Sequence, residues 1–191
     1  MDRKTQDRIK ALTKEKFDVV AYDENWPSLY MEEEVRLKRL LPRHLVQRIT
    51  HIGSTAVPGL SGKAIIDVQV EVTDLEVVRE EYAPQMEAEG YEYIWRPSIG
   101  ENAPFYAWFI RRNDDGERTH HVHVVQPDQA STDRIIFRNY LRRHPEEAKA
   151  YEALKLELLR RYPKNRAAYT QNKGEFVADV LVKARREKPQ K

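Results

Sequence analysis

The stretch whose reading decides the fold is Arg48-Ile49-Thr50-His51-Ile52-Gly53-Ser54-Thr55-Ala56-Val57-Pro58-Gly59-Leu60-Ser61-Gly62-Lys63-Ala64-Ile65-Ile66-Asp67-Val68-Gln69-Val70. It reads as a strand, a tight turn, a short exposed segment and a second strand. Gly53 permits backbone that a side chain would forbid and lets a ligand approach closely. Ser54 and Thr55 carry hydroxyls and backbone N–H groups suited to a helix cap or an anion. Pro58-Gly59 is turn punctuation, and Gly62 adds another break. From Ile65 to Val72 the chain alternates, with Ile66, Val68, Val70 and Val72 on one face and Asp67, Gln69 and Glu71 on the other. A phosphate-sized turn facing a carboxylate on the next strand has the geometry of a polyphosphate site.

In that reading Asp67 holds a divalent cation against a phosphate. The structural alternative is a carboxylate that caps the N–H groups of the turn. A second cluster, His120-His121-Val122-His123-Val124-Val125, carries two imidazoles at strand spacing. His121 and His123 share a face, and His120 points the other way with Val122 and Val124. Such a pair can reach one metal or one phosphate, or form a hydrogen-bonded structural pair near a polar cleft. His51, just before the turn, reads as a brace for that loop. Lys63, Arg111, Arg112, Arg118 and Arg138 are candidates for countercharge, Arg118 foremost because it opens the histidine strand. Tyr106 and Trp108 alternate on the preceding strand, where core packing is the first reading and a base or acyl pocket the second. Trp26 reads as a packing anchor.

The pairing of Gly53-Ser54 with Asp67-Val68-Gln69 resembles the signature of the nucleotidyltransferase superfamily, a Gly-Ser turn followed about a dozen residues on by acid–apolar–acid. Here the second acid is replaced by Gln69. The longer text, the run from His51 to Leu60 with Lys63 and Ile66-Asp67-Val68, resembles one branch of it, the GrpB (UPF0157-type) family. Tyr22, Asp23 and Trp26, the segment from Phe137 to Arg142, Tyr151 with Lys155, and Tyr169 with Lys173 and Phe176 are similar to the rest of that pattern. The family commonly has Asp where this chain has Asn139. The resemblance runs from about residue 19 to 180. It implies a nucleotidyltransferase-like α+β (α/β) fold, a mixed twisted sheet with flanking helices and a helical C-terminal part. It brings no established substrate, and some members are fused to dephospho-CoA kinase. In that fold a third acid on a neighbouring strand completes the metal site, a role the hairpin with His121 and His123 could take.

The expected site therefore has Asp67, His121 and His123 as catalytic groups and Gly53, Ser54, Thr55, Lys63 and Arg118 around phosphate. Asp67, Gln69, His121 and His123 are the expected metal ligands. One acid with neutral imidazoles is a weaker Mg²⁺ site than two acids and suits Mn²⁺ or Zn²⁺ better. The expected cofactor is a divalent metal, Mg²⁺ or Mn²⁺ foremost with Zn²⁺ as an option. The expected function is transfer of a nucleotidyl group from a nucleoside triphosphate to a small acceptor. The alternative is a module that holds a nucleotide, a coenzyme or a metal without chemistry, and a third reading is an interaction domain using charged helices. The expected partner is a nucleotide or other phosphorylated small molecule.

Composition sets the outer bounds. The 191 residues suffice for one domain with a real core, read as residues 1–191 with 1–16 as an N-terminal extension and 131–187 as the helical part. Charged residues make up 34% against 40% hydrophobic, the balance of a soluble globular chain. The absence of cysteine excludes disulfides, zinc–thiolate sites and a thiolate nucleophile, and fits a reducing cytoplasm. The charged start, Met1 to Asp7, has no apolar run behind it, so neither a signal peptide nor a membrane partner is expected. The net charge of +2 is unevenly spread: 14 acids against 7 Lys/Arg from Asp23 to Glu92, and 4 against 11 from Lys155 to Lys191. This reads as solvated helix faces, or as a basic wall that draws in a polyanion. Nucleic acid is not expected, since no basic motif is interleaved with aromatics.

Taken in order, residues 1–16 read as a polar helix and Phe17–Tyr22 as a short strand. A helix follows over Ser28–Leu41, with Asn25 as cap, an apolar side of Leu29, Val35, Leu37, Leu40 and Leu41, and Glu32-Glu33-Glu34 facing solvent. Asp74 caps a helix to about Glu89, closed by Gly90. Strands are expected over Tyr91–Trp95, Phe105–Ile110 and Arg118–Val125, with a loop over Arg96–Pro104 and a hairpin turn at Asp115-Gly116. Ser131-Thr132-Asp133 caps a helix to Arg143, Pro145 opens another toward Tyr162, and a last helix runs from about Asn165 to Arg186.

Overall fold

The computed structural model describes residues 3–97 and 104–187. Its frame is a five-stranded mixed sheet in the order β1-β2-β5-β4-β3, formed by β1 (Val46–Ile52), β2 (Ile66–Val72), β3 (Glu92–Pro97), β4 (Phe105–Arg112) and β5 (Arg118–Val125). The pairs β1/β2, β3/β4 and β4/β5 are antiparallel, and β2/β5 is parallel. As the second strand of five, β2 is covered on both faces, which is why its polar row is enclosed as well as its apolar one. Of the expected loop over Arg96–Pro104, Arg96 and Pro97 end β3, and residues 98–103 lie outside the described set.

Alternation sorts the two faces. Ile66, Val68 and Val70 of β2 share a face with His120, Val122 and Val124 of β5 and with Ala107 and Phe109 of β4. The main core forms there, between the sheet, α2 (Trp26–Leu40) and the segment α3 (Leu75–Val77) to α4 (Ala83–Ala88). Each fully buried Val or Leu in it contributes about 1.5–3 kcal/mol. Asp67, Gln69, His121, His123, Tyr106 and Trp108 face the other way, toward α1 (Arg3–Leu12) and the C-terminal helices α5 (Gln129–Arg143), α6 (Pro145–Arg161), α7 (Arg166–Gln171) and α8 (Gly174–Arg186). A smaller core of Val57, Leu60, Leu141 and Tyr151 ties the loop after β1 to these helices.

Several local expectations are corrected. Phe17–Tyr22 is not a strand but contributes a single bridge, Val20 to Gly62. Asn25 stands at the N-terminus of α2 without a side-chain cap bond, and Leu29 and Val35 are exposed. Glu33, read as solvated, is fully buried: its carboxylate accepts from the Tyr91 hydroxyl and from Arg111 Nη1 at 2.9 Å. The helix after Asp74 is interrupted by a π turn over Val78–Tyr82. Pro84 lacks the N–H that regular α-helix requires at its position, and the wider turn absorbs the defect. The cap of α5 is Asp128, whose carboxylate accepts from Ser131 N at 2.6 Å while the Ser131 hydroxyl returns to the Asp128 backbone. The last helix is two, α7 and α8, because Asn172 turns back to the Ala168 carbonyl with both its backbone and its side-chain N–H groups. That break sets Lys173 at the joint.

Candidate functional site

The site grows from the turn after β1. Gly53 adopts φ 74° and ψ −170°, a region closed to other residues, and a Cβ there would come within 2.7 Å of Asp67 Oδ2. The missing side chain is what lets Ser54–Ala56 curl as a 3₁₀ turn directly against the carboxylate. Gly62 serves the same end: a Cβ would meet Ser54 Cβ at 2.7 Å. His51 braces the loop as expected. Its Nε2 lies 2.9 Å from Thr55 Oγ1, and its ring stacks on Tyr30. Burial holds its pKa down to about 4, so it is a neutral strut.

The parallel register of β2 and β5 sets Asp67 opposite His121 and Gln69 opposite His123. Asp67 Oδ1 is 3.2 Å from His121 Nδ1 and 3.6 Å from His123 Nε2, and ligand atoms from the three residues all lie within 4.8 Å of one another. Burial alone would raise the Asp67 pKa, but hydrogen bonds from His121 and His123 hold it well below the usual carboxylate range. Burial also lowers both imidazoles: His121 to about 4 against the pull of Asp67, and His123 with the Arg134 and Arg96 charges adding to the effect. The result is one carboxylate and two neutral nitrogens. Metal–ligand bonds of about 2.0–2.1 Å in a tetrahedron put neighbouring donors about 3.3 Å apart. The separations of 3.2 and 3.6 Å to Asp67 fit that edge.

Gln69 does not join them. Its amide oxygen accepts from Arg134 Nη1 at 3.0 Å, and its NH₂ donates to Glu71 Oε1 and to the Ser131 carbonyl at 3.0 and 3.1 Å. With a guanidinium on its only acceptor, it is a positioning group for Arg134 rather than a metal ligand. Glu71, the third member of that polar row, is buried and clasped by Arg48 through two bonds of 2.8 and 2.9 Å.

Above Asp67 opens a cleft of about 700 Å³ whose walls include Ser54, Thr55, Tyr106 and Trp108. Tyr106 and Trp108 are buried as core aromatics and also line it. Seven cations reach this cleft: Lys63, Arg96, Arg118, Arg134, Lys155, Arg166 and Lys173. Asp67 is the single acid among the described residues that line it. Among the described residues only Arg118 of the seven has an acidic ion-pair partner, Glu15 at 2.6 Å. Lys63 sits 4.4 Å from the ring centres of both Phe17 and Tyr169. Lys155 donates to Ser54 Oγ at 3.1 Å and to the Ser61 carbonyl. Burial, reinforced by neighbouring cations, lowers Lys63 to about 6, Lys155 to about 7, Lys173 to about 8 and Arg166 to about 10.

Of the countercharge candidates, Lys63 and Arg118 are in the cleft and three are elsewhere. Arg111 pairs with Glu33, Arg112 with Glu15 and Glu92, and Arg138 donates to the His51 carbonyl and Asn139. Sequence reasoning passed over Arg96, Arg134, Lys155, Arg166 and Lys173 as site residues. The available signal was the basic excess after Lys155, together with Tyr151/Lys155 and Tyr169/Lys173 at one helical turn's spacing.

A mixed sheet with a Gly-Ser turn against an aspartate, facing a cation-lined cleft, defines the class to which this chain belongs by form. Residues 16–183 match the family described as GrpB protein, and the chain is a member of the GrpB family. It is 35% identical over 174 residues to YqkA of Bacillus subtilis (strain 168), covering 91% of this chain and 48% of that protein. The chain thus spans about half the length of that relative. It is 32% identical over 164 residues to the glutamate-rich protein GrpB of Alkalihalophilus pseudofirmus, covering 85% of this chain and 92% of that one. A crystal structure of the conserved protein GrpB from Enterococcus faecalis superposes with a TM-score of 0.73 at 32% identity, covering 87% of this chain and 96% of that one. Among the described residues, no helix is long and apolar enough to cross a membrane.

Proposed function

We propose that the cleft binds a nucleoside triphosphate with a divalent cation and transfers its nucleotidyl group to a small acceptor, on a nucleotidyltransferase-like fold. The observation that carries this is the set of six cations without an acidic partner among the described residues, gathered around a triad with metal-ligand spacing. Cations packed this closely repel one another, and a polyanion is the ligand that relieves them. Backbone N–H groups of Gly53, Ser54 and Thr55, with Lys63, Lys155 and Lys173, would hold the β- and γ-phosphates. Asp67, His121 and His123 would hold the cation, and the donor set of one oxygen and two nitrogens favours Mn²⁺ or Zn²⁺ over Mg²⁺. Bound there, the metal would supply charge neutralisation at the α-phosphate.

The residues of the chain do the rest by position. An acceptor oxygen forms a bond to the α-phosphorus, the bond from that phosphorus to the bridging oxygen breaks, and pyrophosphate leaves with the electron pair. The acceptor proton passes to water. Arg118, held by Glu15, screens the charge that develops. The test is incubation with labelled nucleoside triphosphate and Mn²⁺ or Mg²⁺, beside Asp67→Ala. Pyrophosphate release that the variant abolishes supports transfer.

A second reading, a module that binds nucleotide, coenzyme or metal without turnover, is favoured by Gln69. The place of a second carboxylate holds an amide whose oxygen is engaged by Arg134. Tight nucleotide binding without pyrophosphate release supports that reading. Binding and turnover both indifferent to Asp67 would refute the two together.

A further inference from the structure

Apart from Arg118, which Glu15 holds, the cations that reach the cleft among the described residues form two groups rather than one. Lys63, Lys155, Arg166 and Lys173 come from the loop before β2, from α6, from α7 and from the joint between α7 and α8, on the side of Ser54 and Tyr169. Arg96 and Arg134 come from the end of β3 and from α5, on the side of Tyr106 and His123. The strand register places Arg96 opposite Tyr106. Arg134 is fixed through Gln69, which is itself opposite His123. Asp67, His121 and His123 form the floor that the two groups share.

Neither guanidinium has an acidic partner among the described residues. Arg96 lies over the Trp108 ring, 5.0 Å from its centre, with its Nε buried and without a hydrogen-bond partner among the described residues. Among the described residues the Arg134 guanidinium has a single bond, to Gln69. It also lines a side cavity with Tyr106 and Asp128, but the Asp128 carboxylate is engaged in capping α5. A planar guanidinium anchored from behind by an amide presents its remaining N–H groups as a fork, the geometry that takes an oxyanion through two bonds. The substitution of Gln for a carboxylate at position 69 therefore does more than remove a metal ligand. It converts that wall from one that would hold a cation into one that holds a cationic side chain, and so into a seat for an anion.

We infer that Arg96 and Arg134 form a second oxyanion site, across the triad from the lysine group, and that the acceptor in the cleft carries a phosphate or carboxylate there. Only the word acceptor rests on the transfer reading; two separate anion seats are a property of the cleft whether or not it turns over. The acceptor's reacting oxygen would then lie between its own anchored anion and the triad, the arrangement that brings two negatively charged molecules together without direct repulsion.

The test uses binding alone. The full chain is saturated with pyrophosphate, which is expected in the lysine group, and then titrated with inorganic phosphate or with acetate. The readout is the indole N–H resonance of Trp108, assigned with Trp108→Phe. A second saturable shift is expected in the presence of pyrophosphate. Arg96 makes no hydrogen bond to another described side chain, so Arg96→Gln is expected to fold, and to raise the midpoint of that second shift at least tenfold. Pyrophosphate affinity, read by calorimetry, should change less than threefold. Arg134→Lys, which keeps the charge but loses the fork, should fall between wild type and Arg134→Gln. Phosphate binding much tighter than acetate names a phosphorylated acceptor, and comparable binding names a carboxylate. No second anion in the pyrophosphate-saturated protein, or an Arg96→Gln effect equal on both anions, overturns the inference. Pyrophosphate release is scored separately, so a failed transfer reading leaves this result standing.

Discussion

Two sets of buried charge sit on opposite faces of one sheet and are treated in opposite ways. On the α2 face, Glu33 is enclosed completely, and the Tyr91 hydroxyl and Arg111 guanidinium meet its two oxygens. On the cleft face, six of the seven cations that reach a common space have no acidic partner among the described residues. A satisfied buried charge holds a scaffold in place and has nothing left for a ligand. An unsatisfied set costs stability in the empty protein, which makes it the stronger mark of function. Strand β5 serves both, with His120 turned to the first face and His121 and His123 to the second.

The sharpest way to break this comparison is to open the closed side. Glu33→Gln should cost about 3 kcal/mol, the low end for breaking a buried ion pair because Arg111 is 32% exposed. Urea denaturation reads that loss, and sulfate binding in the cleft should not change. A variant that loses cleft binding while remaining folded would show that the two faces are not independent. Gly53→Ala comes next. The backbone region it occupies costs other residues of order 1–3 kcal/mol, and the new Cβ would displace the Asp67 carboxylate. Mn²⁺ affinity, read by calorimetry, should fall at least tenfold; unchanged affinity would remove Asp67 from the metal reading.

The open side predicts a pH dependence whose sign follows from the lysines. Lys63 at about 6 and Lys155 at about 7 lie below the ordinary value of 10.5, so the folded protein binds fewer protons than the unfolded chain between those limits. The empty protein therefore loses stability as pH falls from about 10 through 6. A bound anion offsets that loss by keeping the lysines protonated. Sulfate, a dianion throughout this range, should raise Tm by about 3 °C more at pH 6 than at pH 9, the shift expected for roughly 1 kcal/mol in a chain of this size. An equal or opposite shift would show that the lysines do not face the anion. The smallest effect is at a helix start. Asp74→Ala and Asp128→Ala should each cost about 1 kcal/mol by thermal melting. Only the second should also weaken phosphate at Arg134, which lies in the first turns of the helix that Asp128 caps.

Much of the frame was legible because it is local. The β2 alternation, the Asp115-Gly116 hairpin, β5 from Arg118 to Val125 and the Asp74 cap each follow from neighbours a few residues apart. The errors fall where distant groups decide. Glu32-Glu33-Glu34 reads as a solvated run, yet Glu33 is buried because Tyr91, just before β3, and Arg111, on β4, supply its hydrogen bonds. Leu29 and Val35 read as core beside Leu37, yet α2 meets the core through Trp26 and Leu37, and Leu29 and Val35 are left exposed. Pro84 was a visible warning of the π turn, and the Asn172 break between α7 and α8 shows in no periodicity.

The candidate site divides in the same way. The amino-acid order by itself determined that Asp67 lies in the polar row of its strand, that His121 and His123 share a face, and that Gly53 leaves room beside a hydroxyl-rich turn, because strand parity and the missing Cβ are properties of the chain alone. Only the tertiary structure decided that Gln69 anchors Arg134 instead of a metal, and that Lys63, Arg96, Arg134, Lys155, Arg166 and Lys173 open into one cleft. The reason is that a side chain's face is written in its neighbours' spacing, whereas its partners are chosen by how separate strands and helices pack together.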